Sequence, residues 1–396
     1  MIATDTFDLV GKTLDGKYAV EAVADQGGFS TIYRAQHLLW HQKVAIKVFR
    51  FDDSEEEVSR LDLLEGFLQE GSILAQLSCR STAVCQARDT GAVRAVRPGT
   101  TEADDPDAWA PFLVLEWLDG CSLSALLKEE AARGARPRSL DEALAFLAPV
   151  ASAISMAHER GITHRDLKPS NIFVLREALA STGPRVKLLD FAVAKVSDPA
   201  RLHAGPSRRA CDSLTRLFTP AFGAPEQFNE AIGETGPWTD VFALALILTR
   251  LVTGKAPLQG PGSLGNAQHC LDATVRPTPR TLGARVGDGV ERVFERALAV
   301  HPGARYASAG LFWSALQEAV ARDTAIDGPT ELRHPPSGIR MVTVSPLTGP
   351  SVVSTTPARA VGGIAPSPRP GGLSAGPSAA PAARPDTRVA GSDGLS

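Results

Sequence analysis

Hydrophobic and polar residues alternate along residues 18–49, with the period of two that is typical of β-strands. The clearest stretches are Tyr18–Val20, Ser30–Tyr33 and Val44–Phe49. Residues 112–116 are nearly all apolar and predict another buried strand. The first part of the chain is therefore expected to form a sheet.

Apolar residues recur at helical spacing in three later segments. The first predicts a helix over residues 57–78, with an apolar face made of Val58, Leu61, Leu64, Leu68 and Ala75. The second begins at a capping box formed by Ser139 and Glu142, and its apolar stripe contains Leu140, Leu144, Leu147, Ala151 and Ile154. The third, residues 241–248, is apolar nearly all round, which predicts a central helix.

Strands that precede helices favour an α+β fold with two lobes. We place an N-terminal extension at residues 1–15, a small sheet-rich lobe at 16–116 and a larger helical lobe at 117–322. Residues 97–110 interrupt the first lobe and carry four acidic side chains. We expect this interruption to be a solvated loop.

The composition changes near residue 324. Residues 323–396 are rich in Pro, Ala, Gly and Ser and have almost no aromatic residues, so they cannot bury enough surface to offset chain entropy. We predict a disordered tail. Its candidate modification or docking sites are Ser345-Pro346, Thr356-Pro357 and Ser367-Pro368, and a plain spacer is the alternative.

Composition and charge narrow the location and partners of the chain. Its 396 residues carry a formal net charge of −3, which gives no general attraction to nucleic acid or to anionic membranes. The five cysteines are scattered without a C-x-x-C pair, which fits a reducing cytoplasm better than a disulfide framework or a zinc site. The longest apolar run, residues 241–252, is short and contains Arg250, so we expect no membrane span.

The stretch from His164 to Asn171 places an acid, a cation and an amide within one short loop. Apolar, strand-like residues flank it, and Pro169 prevents a continuous helix. Such a loop can direct Asp166, Lys168 and Asn171 into one space. A reaction on a phosphate needs this combination of base, countercharge and metal ligand. A polar turn is the alternative.

A second candidate is the glycine pair Gly27-Gly28, which lies between two strand-like stretches where a hairpin can fold over phosphates. Glycine pairs are also ordinary turn formers, so this signal alone is weak. Lys47 follows on the next predicted strand, however, and a buried lysine needs a partner. Glu70, on the predicted helix 57–78, is the natural partner.

Six motifs occur in the order found in the eukaryotic-like protein kinases. They are Gly27-Gly28-Phe29, Val44–Lys47, Glu70, His164–Asn171, Asp190-Phe191-Ala192 and Ala224-Pro225-Glu226. Over residues 11–322 the chain resembles a bacterial serine/threonine protein kinase. The resemblance implies the bilobal protein kinase fold and transfer of the γ-phosphoryl group of ATP to Ser or Thr hydroxyls of proteins, with Mg²⁺.

The resemblance also implies the role of each residue in the reaction. Asp166 orients the acceptor hydroxyl and takes its proton, and Lys168 neutralises charge on the transferred group. Lys47, held by Glu70, binds the α- and β-phosphates of ATP. Asn171 and Asp190 are the magnesium ligands. The other implied ATP contacts are Gly27, Gly28, Phe29, Ile32, Ala45, Glu116 and Leu118, with Leu115 as gatekeeper.

Further residues match supporting positions of the family. Asp240 matches the aspartate that buttresses the catalytic loop, and Glu226 and Arg305 match a structural ion pair. Thr219–Phe222 matches the stretch that seats the acceptor residue. Arg165 is implied to meet a phosphate in the segment between Asp190 and Glu226, where Ser213 and Thr215 are the favoured sites.

Some positions depart from the family pattern. Asp25 and Ser30 replace two glycines of the phosphate loop, and Ala192 replaces the glycine that usually follows Asp-Phe. Phe218 and Gly223 alter the acceptor-seating stretch. These departures leave two alternatives to an active protein kinase, a pseudokinase that binds nucleotide or acts as a scaffold, and a small-molecule phosphotransferase. We expect an active enzyme of bacterial signal transduction, with self-association for trans-autophosphorylation left open.

Overall fold

The computed structural model describes residues 4–27, 30–49, 57–94, 109–176, 186–191, 220–260, 262–274 and 276–326. Side chains of residues 57–66, 263 and 324–326 are not described. Several predicted features therefore lie outside the described residues, namely Gly28, Phe29, Ala192, the acceptor-seating positions Phe218 and Thr219, the candidate phosphosites Ser213 and Thr215, and the tail after residue 326.

The N-terminal lobe is built on a six-stranded antiparallel sheet in the order β1-β2-β3-β4-β6-β5. The strands are β1 (Thr13–Leu14), β2 (Tyr18–Gln26), β3 (Ser30–His37), β4 (Lys43–Phe49), β5 (Ala87–Arg94) and β6 (Trp109–Glu116). Strict alternation of burial along β3 follows the sequence pattern. One face of the sheet carries Tyr33, Ile46 and Val48, and the opposite face carries Lys47.

Residues before β1 cover the outer face of this sheet. Phe7 and Leu9 are buried together with Tyr33 in the same apolar cluster. The Asp5 carboxylate accepts hydrogen bonds from the backbone N–H of Leu9 and Val10 and from the Tyr33 hydroxyl. The segment predicted as an N-terminal extension, residues 1–15, thus contributes buried side chains to the first lobe.

Helix α1 spans Glu57–Ser78, as the spacing of apolar residues predicts. Its buried face, however, contains Phe67, Leu74 and Leu77, whereas Leu68 is 54% exposed. Leu68 and Ala75, two of the apolar residues whose spacing predicts the helix, therefore lie away from its buried face. The physical reason is that the helix turns Glu70 towards Lys47, and the residues that share the face of Glu70 are three or four positions away.

The loop predicted at residues 97–110 ends two residues earlier than expected. Trp109 and Ala110 belong to β6 and pair with Arg94 and Val93 of β5. Ala110 is only 2% exposed. Their place in the strand was missed because acidic residues dominate the preceding sequence, and residues 95–108 lie outside the described part of the chain.

The C-terminal lobe is mainly helical. Its helices in the described residues are α2 (Leu123–Ala132), α3 (Leu140–His158), α4 (Pro225–Phe228), α5 (Pro237–Thr253), α6 (Gly262–Leu271), α7 (Asp288–Ala297) and α8 (Ala309–Ile326). The predicted capping box of Ser139 and Glu142 starts α3. Residues 241–248 of α5 are all buried, which confirms the predicted central helix.

Helix α3 is the one helix among the described residues that is long and apolar enough to cross a membrane. It packs against α5 and α8 inside the lobe, and Leu147, Ala151 and Ile154 are buried there. The core helix of a globular domain passes the same test of length and composition. The helix is therefore weak evidence for a membrane span.

A small antiparallel sheet lies next to the helices and positions the site. It consists of β7 (Gly120–Ser122), β8 (Ile172–Leu175) and β9 (Val186–Leu188) in that order. Gly120 has φ of 156°, and a Cβ atom there would lie 1.9 Å from the carbonyl oxygen of Val174. Only glycine permits this close approach of β7 to β8.

Candidate active site

The loop between α3 and β8 brings Asp166, Lys168 and Asn171 together. The Asp166 carboxylate accepts from Lys168 Nζ at 2.6 Å and lies 3.4 Å from Asn171 Nδ2. Asn171 Nδ2 also donates to the Asp166 carbonyl oxygen at 2.9 Å. A single turn of 3₁₀-helix, Pro169–Asn171, makes this return of the chain possible. The three residues form one cluster of acid, cation and amide.

Asp240 holds the start of this loop from helix α5. Its carboxylate accepts from the backbone N–H of His164 at 2.7 Å and of Arg165 at 2.8 Å. His158 Nε2 contacts the same carboxylate at 2.8 Å, and His158 Nδ1 accepts from the Ala309 N–H. The Nδ1 atom is thus an acceptor, so Nε2 carries the proton and donates to Asp240. The contact expected between Asp240 and the loop is present.

Lys47 lies between two carboxylates. Its Nζ donates to Glu70 Oε1 at 2.9 Å and to Asp190 Oδ1 at 2.8 Å. The Lys47 and Glu70 side chains are 8% and 10% exposed, whereas 36% of the Asp190 side chain is exposed. Lys47 thus joins β4, helix α1 and Asp190, which lies two residues after the end of β9.

The charges in this cluster change one another's ionisation. Burial opposes the charged form of Lys47, but Asp190 and Glu70 more than compensate and raise its pKa. Burial raises the pKa of Glu70. Burial also acts to raise the pKa of Asp190, but Lys47 outweighs it and holds that pKa below its ordinary value. Asp190 is therefore the anion that remains available at the cleft.

The predicted ATP contacts of the sheet share one face. Ile32 on β3 pairs with Lys47 on β4, and Ala45 is two residues before Lys47 on the same strand. At the turn before Ile32, the Gly27 N–H donates to the Ser30 carbonyl oxygen at 2.9 Å. The carboxylate of Asp25 accepts from its neighbour Gln26 N–H at 2.8 Å. The Asp25 carboxylate thus has a hydrogen-bond partner within the chain, independent of any ligand.

Glu116 ends β6 at the predicted adenine-binding hinge. Its Oε1 accepts from the Gln86 N–H at 2.8 Å and from Lys187 Nζ. Both charged side chains are about four-fifths buried or more, at 16% and 14% exposed. Leu115 is buried beside Glu116, and Leu118 packs against the same core. Lys187 on β9 thus ties the hinge to the strand that precedes Asp190.

Comparison with known proteins identifies this arrangement. Residues 18–306 match the family model of the protein kinase domain. The chain belongs to the protein kinase family. It is 31% identical over 322 residues to the serine/threonine-protein kinase pkn3 of Myxococcus xanthus, covering 80% of this chain and 52% of that relative. It is 32% identical over 333 residues to PknL of Mycobacterium tuberculosis, covering 82% and 71%.

The chain also resembles solved structures, one of which is a bacterial kinase domain. The PknI kinase domain of Mycobacterium tuberculosis matches with a TM-score of 0.51 and 23% identity, over 80% of this chain and 100% of that one. The apo form of PpkA-294 matches with a TM-score of 0.54 and 20% identity, over 78% and 98%. These likenesses confirm the α+β bilobal protein kinase fold. The chain spans about half the length of pkn3.

The residues expected to bind magnesium in this kinase are one carboxylate and one amide. In the described part of the chain, no group of three His, Cys, Asp or Glu side chains is arranged to hold a metal by itself. Mg²⁺ usually takes one or two carboxylates and completes its shell with water and phosphate oxygens. Asn171 uses Nδ2 to bind Asp166, which leaves Oδ1 as its ligand atom. Asp190 and Asn171 therefore fit a magnesium ion that arrives with a nucleotide.

The ion pair expected between Glu226 and Arg305 is present in the core of the C-terminal lobe. Two parallel hydrogen bonds join them, at 2.9 Å and 2.8 Å, and both side chains are fully buried. Arg305 also stacks over Phe242, with the guanidinium 4.7 Å from the ring centroid. The pair fixes the start of α4 to the segment before α8.

Three residues around the site were missed by the sequence analysis. They are His158, which supports Asp240, Lys187, which binds Glu116, and Gln227, which contacts the catalytic loop. Each acts on a partner 62 to 82 positions away in the chain. Local periodicity carries no signal for such pairs. The one hint in the sequence to such a residue is that a polar side chain stands at a position where packing would favour an apolar one.

Proposed function

We propose that this chain is an active protein serine/threonine kinase that transfers the γ-phosphoryl group of ATP to Ser or Thr hydroxyls of proteins. The observation that carries the proposal is the convergence of Asp166, Lys168 and Asn171 in one loop. Beside it, the Lys47 pair with Asp190 supplies a phosphate-binding cation and a metal-binding anion. The curated relatives named above are serine/threonine-protein kinases.

In this proposal the residues act by position and charge. The Asp166 carboxylate accepts the proton of the acceptor hydroxyl, and Lys168 stabilises negative charge on the transferred group. Lys47 binds phosphate oxygens, and Glu70 keeps its ammonium in place. Asp190 and Asn171 hold magnesium, which supplies charge neutralisation at the phosphates when it is bound. Gly27, Ile32, Ala45, Glu116 and Leu118 form the nucleotide-binding face.

No contact among the described residues favours the pseudokinase alternative. The residues that a catalytically dead kinase commonly lacks are all present, and they are Lys47, Asp166, Asn171 and Asp190. Asp25, one of the three departures behind that alternative, has a backbone partner of its own.

The wider setting of the enzyme is also proposed. Protein substrates follow from the Ala224-Pro225-Glu226 segment and Thr219–Phe222, and self-association would allow trans-autophosphorylation. A cytoplasmic kinase domain is supported by the cysteines, since Cys79, Cys85, Cys121 and Cys270 are free. The domain boundaries at residues 16 and 322 and the disordered tail stay predictions.

The change Asp166→Asn tests the catalytic role directly. A positioned general base contributes about 10² to 10⁴-fold, so phosphate transfer should fall by that factor. Asn keeps the size of the side chain, so nucleotide binding should stay within about twofold. Transfer is measured with labelled ATP, Mg²⁺ and a generic basic protein, and modified residues are located by mass spectrometry.

The matched control is Asp141→Asn, which alters a carboxylate in the exposed first turn of α3. It should transfer phosphate at the unaltered rate. Equal rates for Asp166→Asn and the unaltered enzyme would refute the proposed base. No transfer by the unaltered enzyme to any protein, itself included, would refute the kinase activity as a whole.

A further inference from the structure

Arg165, the residue before the proposed base, has an unusual backbone conformation. Its φ is +64°, in the left-handed region that residues other than glycine rarely occupy. Such a conformation is strained and persists only where surrounding contacts enforce it. The contacts that enforce it should therefore be visible around Arg165.

Two side chains from different helices hold the backbone of Arg165. Its N–H donates to Asp240 Oδ1 at 2.8 Å, and its carbonyl oxygen accepts from Gln227 Nε2 at 2.7 Å. Asp240 is on α5 and Gln227 is on α4. The two peptide groups that flank Arg165 are thus fixed separately, one by each side chain.

The peptide group between Arg165 and Asp166 determines where the Asp166 side chain points. Its carbonyl binds Gln227, and its N–H donates to the His164 carbonyl oxygen at 2.9 Å. Rotation of this peptide group would move the Cα–Cβ bond of Asp166 and, with it, the carboxylate. Gln227 therefore binds the peptide group next to Asp166, the residue that takes the proton in the proposed reaction.

The peptide group between Arg165 and Asp166 is held by hydrogen bonds on both sides. Arg165, Asp166, Phe222 and Gln227 line the same depression under the loop. The bond from Gln227 restrains the peptide on its carbonyl side, and the bond to the His164 carbonyl oxygen restrains it on its N–H side.

The amide of Gln227 is itself held in one orientation. Its Oε1 accepts from the Ala224 N–H at 3.0 Å, so the opposite end of the amide, Nε2, must face Arg165. Ala224 begins the segment that follows the acceptor-seating stretch. The Gln227 side chain thus connects that segment to the catalytic loop, because it accepts one hydrogen bond from the segment and donates one to the loop.

We propose that Gln227 is a positioning residue for Asp166, acting through the Arg165 carbonyl oxygen. This inference rests on the proposed kinase activity. Gln227 touches no reacting atom in the proposal. It keeps the Arg165–Asp166 peptide in the strained orientation that aims the carboxylate at the acceptor hydroxyl.

Three substitutions separate the two bonds of the Gln227 amide. Gln227→Glu keeps an acceptor for Ala224 N–H but loses the donor to Arg165. Gln227→Lys keeps a donor but loses the acceptor, and Gln227→Met loses both. If the Arg165 bond positions the base, kcat should fall about tenfold in the Glu and Met variants and less in the Lys variant. The KM for ATP should stay within about twofold in all three.

The matched control is Gln259→Glu. Gln259 is exposed, and its Nε2 also donates to a backbone carbonyl oxygen, that of Ala256, at 3.1 Å. This control removes the same type of bond far from the catalytic loop in sequence. It should leave kcat unchanged, which separates a local effect at Arg165 from a general effect of replacing Gln with Glu.

Amide hydrogen exchange gives a readout that does not depend on activity. In Gln227→Glu, exchange of the Asp166 N–H should become faster by about tenfold, while exchange within α5 stays unchanged. An unaltered kcat or an unaltered exchange rate in this variant would overturn the inference. If the unaltered enzyme transfers no phosphate, the proposed function fails, and exchange alone decides whether Gln227 holds the loop.

Discussion

Two clusters of paired charges, one inside the C-terminal lobe and one that joins the two lobes at Lys47, differ in how fully their hydrogen-bonding groups are used. In the C-terminal lobe, all five N–H groups of Arg305 have partners, which are the Glu226 carboxylate and the carbonyl oxygens of Trp238, Ala299 and Val300. Glu226 also accepts from the Thr239 hydroxyl at 2.7 Å. This cluster is closed to any further ligand.

The Lys47 cluster in the cleft is incomplete by comparison. Within the described part of the chain, two of the three ammonium protons of Lys47 have hydrogen-bond partners. One cation meets two carboxylates, and 36% of the Asp190 side chain is exposed. A cluster with a spare donor, an ionised carboxylate at Asp190 and an open side can bind both phosphate and a cation. The same residue types thus serve structure when closed and ligand binding when open.

The largest effect that this comparison predicts is on catalysis at the open cluster. Lys47→Met removes the cation but keeps the length of the side chain, so phosphate transfer should fall by about 10² to 10³-fold. Stability should change little, because Asp190 reaches solvent and burial raises the pKa of Glu70, so that Glu70 can take up a proton once the ammonium is removed. Single-turnover transfer and thermal unfolding measure the two effects.

Lys43→Met is the matched control for this change. Lys43 is an exposed residue on the same strand, β4. Transfer by Lys43→Met should equal that of the unaltered enzyme. If Lys47→Met lowers the free energy of unfolding by as much as it raises the activation free energy of transfer, the open cluster is structural, like the closed one.

The closed cluster should respond in the opposite way. Arg305→Met strands the Glu226 carboxylate in the core, which typically costs about 3–5 kcal/mol. For a domain of this size the melting temperature should fall by roughly 10 °C. The double change Glu226→Met and Arg305→Met should recover part of this loss, because no uncompensated charge remains.

Arg322→Met is the control, since Arg322 is 70% exposed in its ion pair with Glu318. Its melting temperature should lie within about 1 °C of the unaltered protein. Equal melting temperatures for Arg305→Met and Arg322→Met would show that the buried pair does not stabilise the fold.

The difference between the clusters also shows what the sequence can predict. Alternation of apolar residues predicts β3 and β4, and helical spacing predicts α1, because these patterns are local. Family motifs predict the contact of Lys47 with Glu70 and that of Glu226 with Arg305. The exposed position of Leu68 was not predictable, because the rotation of α1 depends on Glu70 meeting Lys47 across the lobe.

Residues that complete the site through distant partners were equally hidden. Lys187 and Glu116 are 71 positions apart, and His158 and Asp240 are 82 positions apart. Neither pair repeats at the spacing of a strand or helix. Only the folded chain brings these groups within hydrogen-bond distance, so their roles emerge from the structure.

The smallest predicted effect concerns an ion pair at the surface, where water competes with both partners. Arg136 binds the Glu142 carboxylate with two bonds, at 2.9 Å and 2.7 Å, at the start of α3. This contact, followed by the bond from the Ser139 N–H, lowers the pKa of Glu142 to about 2 from the ordinary 4.5. Since 38% of the Glu142 side chain is exposed, solvent screening limits the stabilisation to about 1 kcal/mol or less.

A lowered pKa in the folded state fixes the sign of the pH dependence of this pair. The stabilisation is fully present above pH 4.5, where Glu142 is ionised in the unfolded chain too, and it is lost as the pH falls towards 2. The free-energy difference between the unaltered protein and Glu142→Gln should therefore be about the same at pH 7 and pH 5, and smaller at pH 4, when urea unfolding is measured at these pH values. The Glu318→Gln control should show little difference at any of these pH values, because its pair with Arg322 is more exposed and its atoms are 4.0 Å apart. The absence of a gap at every pH would mean that Glu142 acts only by accepting the bond from the Ser139 N–H, which Gln can also accept, and that the charge of Arg136 does not stabilise α3.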